Sequence, residues 1–75
     1  MNYVAIELQV KPDGTFEVST FKKNNRNDAE KAFHSILSSA ATSKNLSHGA
    51  IILNEFGEVA KRPEYYKHEA EQPAE

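Results

Sequence analysis

Three histidines are the side chains of this sequence that most directly suggest metal or acid–base chemistry: His34, His48 and His68. No two of them have the close spacing of a zinc site, and the chain has no His-Glu-x-x-His pattern. Cysteine is absent, which excludes a disulfide framework and thiolate metal ligands. We therefore predict no metal and no cofactor. The simpler interpretation of His34 and His48 is that both lie at the edge of the core and hydrogen-bond to backbone or to a nearby serine.

Serines are the second candidate group, because a serine next to a base can act as a nucleophile. Four of them cluster in one stretch of the chain: Ser35, Ser38, Ser39 and Ser43. None lies in a Gly-x-Ser-x-Gly elbow, and the three glycines are too scattered to form a phosphate-binding loop. A small domain without these motifs is predicted to be non-catalytic.

A short basic segment, residues 22–27, is the third candidate. Lys22, Lys23 and Arg26 come just before a predicted helix, whose free amides and dipole favour anions at that end. Additional amide donors come from Asn24, Asn25 and Asn27. The segment therefore gives an alternative hypothesis for function, the binding of an anion, a nucleotide or nucleic acid. The other interpretation is a solvated loop whose asparagines suit turn geometry.

The distribution of charge weighs against nucleic acid as the partner. The formal net charge is −2, and residues 67–75 account for all of it, with one lysine and three glutamates. Residues 1–66 sum to zero, whereas nucleic-acid binding is typical of a basic surface. We predict one domain over residues 1–66 and a disordered acidic tail over residues 67–75.

The strongest structural signal is an amphipathic helix over residues 27–42. Its apolar residues recur at helical spacing and form one stripe: Ala29, Ala32, Phe33, Ile36, Leu37, Ala40 and Ala41. Asn27 is the predicted N-cap, and Glu30 lies three residues later, as in a capping box. This helix must cover a surface that the flanking segments supply.

Four strands are predicted around that helix, over residues 3–10, 15–21, 48–53 and 58–62. The first two form a hairpin through the turn Pro12-Asp13-Gly14, and Pro63 is predicted to end the last strand. A right-handed crossover then gives an α+β fold of type ββαββ, a four-stranded antiparallel sheet in the order 2-1-3-4 with one helix packed on one face.

One helix covers one face of a sheet, so the other face is free for a partner. We expect the helix to cover the first strand's larger residues, namely Val4, Ile6 and Leu8, together with Phe16 and Val18 of the second strand. The open face, and hence the interface, then carries Tyr3, Ala5, Phe21 and Ile52. The predicted function is protein–protein association as a homo-oligomer, most simply a dimer, or with a host protein.

The location of the protein is predicted from its N-terminal residues. They alternate polar and apolar side chains and contain no continuous apolar run. We therefore expect neither a signal peptide nor a membrane span, and a cytoplasmic protein.

The chain also resembles a group of short hypothetical proteins from phages and prophages of Gram-positive and gut bacteria. The shared pattern runs from an opening hairpin to an aromatic residue near a late histidine: Val4, Ile6, Gly14, Phe33-His34, Leu37, Ala40-Ala41-Thr42-Ser43, His48, residues 50–53, Gly57, Tyr66 and His68. The resemblance implies a mobile-element protein of unknown role in the host cytoplasm. Small phage domains of this kind are usually non-catalytic.

The resemblance further implies a candidate ligand-facing set: His34, Ser38, Ser43 and His48. The set brackets the second half of the helix and the start of the third strand. The competing hypothesis is that these side chains only support the loop at residues 43–47.

Overall fold

The computed structural model of the chain describes residues 1–67. It contains four strands and one helix. Their bounds are β1 Tyr3–Val10, β2 Phe16–Lys23, α1 Arg26–Ala40, β3 Ser47–Asn54 and β4 Val59–Lys67. The sheet is antiparallel with the order β2-β1-β3-β4, which confirms the predicted fold and strand order. Lys67 belongs to β4, and the rest of the predicted acidic tail, with His68, lies outside the described residues.

The first hairpin has the turn that its sequence predicts. Gly14 adopts a φ of 90°, and its amide donates to the carbonyl oxygen of Lys11 over 2.8 Å. The Asp13 carboxylate accepts bonds from both the amide and the hydroxyl of Thr15, at 2.9 and 2.7 Å. These hydrogen bonds lower the pKa of Asp13 below its usual value. The turn is therefore closed by hydrogen bonds among its own residues.

The helix begins two residues earlier than the sequence pattern indicates, so the prediction of Asn27 as N-cap is wrong. Asn25 is the N-cap: its Oδ1 accepts the Asp28 amide at 2.8 Å, and its Nδ2 donates to the Asp28 carboxylate at 3.1 Å. Glu30 accepts instead from Arg26 Nε at 3.0 Å. Both asparagines have suitable side chains, and capping at the earlier one lengthens the helix by two residues, about half a turn.

The capping assignment gives a first prediction. Asn25→Ala should lower the free energy of unfolding by about 1 kcal/mol, because the Asp28 amide loses its acceptor. The matched control is Asn27→Ala, which places a better helix former inside the helix and should change stability by less than about 0.5 kcal/mol. Urea unfolding monitored by circular dichroism measures both. Equal losses in the two variants would contradict the assignment.

Strand β4 continues past Pro63, contrary to the expectation that this proline ends it. In β3, Ala50 pairs with Glu64 and Ile52 pairs with Lys61 of β4. Two residues of β4, Arg62 and Pro63, therefore lie opposite one residue of β3, Ile51. This is a β-bulge on an edge strand, a position where proline's missing N–H breaks no ladder bond. Proline usually ends a strand, but Pro63 is tolerated here because β4 lies at the edge of the sheet.

The helix covers the opposite face of the sheet from the one expected. Ala5 and Ile52 are fully buried and cluster with helix residues Ala29, Phe33 and Ile36. Tyr3 packs against the same cluster. The predicted interface residues Tyr3, Ala5, Phe21 and Ile52 therefore share the helix-covered face, with Phe21 at its margin, and their assignment to the open face is wrong.

Side-chain size explains this choice of face. The covered face places two alanines, Ala5 and Ala50, beneath the helix, and the helix contributes Ala29 at the contact. Small residues let helix and sheet approach closely, which leaves room for one large side chain, Phe33, at the centre. The helix does not cover the other face, which carries the bulkier side chains Val4, Ile6 and Leu8.

Within the described residues, no helix is long and apolar enough to cross a membrane.

Candidate functional site

The face of the sheet that the helix leaves open carries apolar side chains along its whole width. Strand alternation and the pairing register place its apolar residues on all four strands: Val4, Ile6, Leu8, Val10, Phe16, Val18, Ile51, Leu53, Val59 and Tyr65. Phe16, Val18, Val59 and Tyr65 are more than half exposed. A continuous apolar surface that spans a whole sheet is characteristic of an interaction site.

The centre of this face lies where β1 pairs with its two neighbours. Ile6 is opposite Thr20 of β2 on one side and opposite Ile51 of β3 on the other. Leu8 is opposite Val18 of β2 on one side and opposite Gly49 of β3, which has no side chain, on the other. The middle of the face is therefore formed by the side chains of Ile6 and Leu8, which makes these positions the most sensitive to a charge.

On the helix-covered face, His48 is 5% exposed and belongs to a hydrogen-bonded polar cluster. The members of this cluster are Glu7, Gln9, Ser43, Asn45 and His48. Nδ1 of His48 donates to Glu7 Oε2 over 2.9 Å, because a carboxylate only accepts. Its Nε2 lies 2.8 Å from the Ser43 hydroxyl, which donates to it in the neutral imidazole. The side chain of Glu7 is 13% exposed, so both members of the His48–Glu7 contact are largely shielded from water.

The same contacts fasten the loop between α1 and β3. The Ser43 hydroxyl also accepts the Asn45 amide at 3.0 Å, and the Asn45 side chain donates to Gln9. The Leu46 amide donates to the carbonyl oxygen of Val10 over 2.7 Å. The loop is therefore tied to β1 by side-chain and backbone bonds together.

The order Ser43–His48–Glu7 matches the hydrogen-bond order of a nucleophilic serine triad. Such a triad also needs amide donors for an oxyanion. Here the neighbouring amides of Thr42 and Ser43 donate to helix carbonyls, at 3.2 Å each, and the site lies at the negative end of the helix dipole. These features favour a structural role for the three residues over nucleophilic catalysis.

Only half of the candidate ligand set comes together. Ser43 and His48 are hydrogen-bonded, whereas His34 and Ser38 are exposed on the helix. His34 Nε2 is 4.0 Å from a Glu30 carboxylate oxygen. The hydrogen bond from Arg26 is the main cause that lowers the pKa of Glu30, so this carboxylate already has a partner. The expected hydrogen bond to a nearby serine is present for His48. His34 is exposed on the helix and does not lie at the edge of the core, so the same expectation is wrong for it.

Two residues of this cluster, Glu7 and Gln9, are missed by the sequence analysis. Both alternate with apolar residues in β1, a pattern that usually places polar side chains in water. The available signal is their position on the same strand face as Ala5, the smallest residue of the strand. Once that face is known to be covered, Glu7 and Gln9 must find partners among the loop residues above them.

In the folded protein, the basic residues of segment 22–27 lie in two different places. Arg26 donates to Glu30 and, over 2.7 Å, to the carbonyl oxygen of Ala60, so its guanidinium joins the helix to β4. Asn25 already caps the helix N-terminus. Lys22 and Lys23 instead line an open groove of about 660 Å³ at the end of the sheet. The remaining lining residues are Asn2, Tyr3, Val4, Asn24, Asn54 and Glu55.

Among residues 1–67, no three histidine, aspartate or glutamate side chains are grouped so that they could hold a metal ion. Comparison with models of protein families, with curated proteins and with solved structures gives no significant match. Three features of the described residues are therefore the candidates for function: the open face, the cluster around His48, and the groove lined by Lys22 and Lys23.

Proposed function

We propose that the protein acts by protein–protein association and forms a homodimer in which the open faces of two sheets pack together. The observation that carries this proposal is the apolar surface on all four strands. Burying such a surface is favourable in proportion to the apolar area removed from water. Two sheets related by a two-fold axis would form a sandwich with a helix on each outer side.

The size of the face supports a stable dimer. Four strands about 4.8 Å apart, with about eight residues of about 3.4 Å each, cover a footprint of roughly 500 Å². The accessible area of the uneven side-chain surface exceeds its projection. A standard interface buries about 800 Å² of accessible surface on each partner, so this face is of the required order.

A host protein is the alternative occupant of the same face, in keeping with the resemblance to phage and prophage proteins. Self-association is preferred because Ile6 and Leu8 make the centre of the face apolar. The charged residues that share this face by register, Lys22 and Lys67, lie at the ends of β2 and β4. Under this proposal the protein binds and does not catalyse, and it works in the host cytoplasm.

A charge at the centre of the face tests the proposal. Native mass spectrometry and sedimentation equilibrium should give a wild-type mass of about 17 kDa, twice that of the 8.4 kDa chain. Ile6→Lys should convert the protein to a folded monomer, since the ammonium group would have to be desolvated in the interface. The expected loss of dimer affinity is at least about 100-fold, equivalent to about 2.7 kcal/mol.

The matched control is Ser38→Lys, which adds the same side chain to the exposed surface of the helix and should remain dimeric. Val18→Lys is a second open-face variant that guards against misfolding at one position, and circular dichroism checks that each variant is folded. A wild-type protein that stays monomeric at high micromolar concentration would overturn the proposal. Equal behaviour of the Ile6 and Ser38 variants would overturn the choice of face.

A further inference from the structure

We propose that the groove at the end of the sheet is a binding site for a small organic phosphate, with Lys22 and Lys23 holding the phosphate. This site goes beyond the proposed function and differs from the dimer face in chemistry, although Val4 belongs to both surfaces. Its volume, about 660 Å³, lies within the range of pockets that take small ligands.

The two lysines are the first support. They are neighbours at the end of β2, paired with Val4 and Tyr3 of β1, so their side chains leave the strand on opposite faces. Both nevertheless line the groove at the end of the sheet. Within residues 1–67 neither ammonium group has a carboxylate within ion-pair distance, in contrast to Lys11, which binds Glu17 at 2.8 Å. Lys23 is also partly buried, so its charge is incompletely solvated and would gain from an anionic partner.

The walls of the groove are the second support. Tyr3 and Val4 supply an apolar surface, and the Asn2 and Asn24 side chains add hydrogen-bonding groups. A pair of ammonium groups suits a dianion, such as a phosphate monoester, better than a single carboxylate. The apolar wall suits a flat organic body attached to that phosphate.

One acidic residue, Glu55, also lines the groove. Its Oε1 accepts the Asn2 amide at 2.8 Å, which fixes the carboxylate at the rim. The groove therefore carries two positive charges and one negative charge. This arrangement predicts opposite effects for neutralising the lysines and neutralising the glutamate, and that difference in sign gives the test.

Adenosine monophosphate is the probe, and adenosine and inorganic phosphate represent its two parts. Titrations on full-length protein, monitored by ¹⁵N–¹H NMR, should show saturable shifts at residues 2–4, 22–24 and 54–55, with AMP binding tighter than either part alone. Replacing both lysines by glutamine should weaken AMP binding by about tenfold per lysine, the usual effect of losing a hydrogen bond to a charged group. Glu55→Gln keeps the acceptor for Asn2 and should tighten binding.

The matched control is Lys31→Gln with Lys44→Gln, which removes two charges at exposed positions outside the groove. This variant should bind AMP as wild type does. The proposal is overturned by the absence of saturable shifts, by equal weakening in the control, or by weaker binding in Glu55→Gln. It is also overturned if adenosine or inorganic phosphate alone binds as tightly as AMP.

Discussion

Phe33→Ala should remove a large share of the protein's free energy of unfolding. Phe33 is fully buried at the centre of the core cluster, between the helix and the alanines of the sheet. Truncation of such a side chain typically costs about 3–5 kcal/mol, because the cavity refills only in part. A domain of this length has a total stability of about 4–11 kcal/mol, so one residue holds a large share of it.

Urea unfolding at a fixed protein concentration measures this effect, with Phe56→Ala as the matched control. Phe56 is 69% exposed in the turn before β4, and its loss should change the free energy of unfolding by less than about 0.5 kcal/mol. Phe33→Leu should lie between wild type and alanine, since it keeps most of the volume. A Phe33→Ala protein as stable as the Phe56 variant would show that the core is centred elsewhere.

The strand order could be predicted from the sequence because it depends on local signals. The turn at Pro12-Asp13-Gly14 fixes the first hairpin, and the apolar stripe around Phe33 fixes the helix. Handedness and loop length then leave few ways to connect the strands. These signals are properties of each segment alone, and the folded chain keeps all of them.

The covered face could not be predicted in the same way, because hydrophobicity ranks the two faces in the wrong order. Val4, Ile6 and Leu8 are more apolar than Tyr3, Ala5 and Glu7, yet the helix packs on the second set. The face that the helix covers is the one where Ala5 and Ala50 pack closely against it. Such a fit depends on the helix surface and the sheet surface together, so neither segment alone reveals it. The same feature indicates association, since the more apolar face has nothing from its own chain to cover it.

The polar cluster likewise depends on tertiary placement. Glu7 and His48 are 41 residues apart, and nothing in either segment alone identifies the other as its partner. The register of β1 and β3 brings them together, because Gln9 is directly opposite His48 and Glu7 is two residues along on the same face. The sequence could identify His48 as a candidate but could not identify its carboxylate partner.

His48→Ala should lower the free energy of unfolding by about 3 kcal/mol. The substitution leaves the shielded Glu7 carboxylate without its 2.9 Å donor and removes the partner of the Ser43 hydroxyl. Removing the donor to a shielded carboxylate costs more than the hydrogen bond itself contributes, since the carboxylate stays desolvated. Thermal and urea unfolding both measure the loss.

His34→Ala is the matched control, because His34 is exposed and its contact with Glu30 is long, at 4.0 Å. Glu30 is already bound by Arg26. It should change stability by less than about 0.5 kcal/mol. A double-mutant cycle with Glu7→Gln should show coupling to His48 of about 1 kcal/mol or more. If His48→Ala lowers stability but the folded fraction still dimerises and binds AMP, the contacts of His48 with Glu7 and Ser43 serve to hold the loop in place. Unchanged stability with loss of either binding activity would instead make His48 part of a binding site.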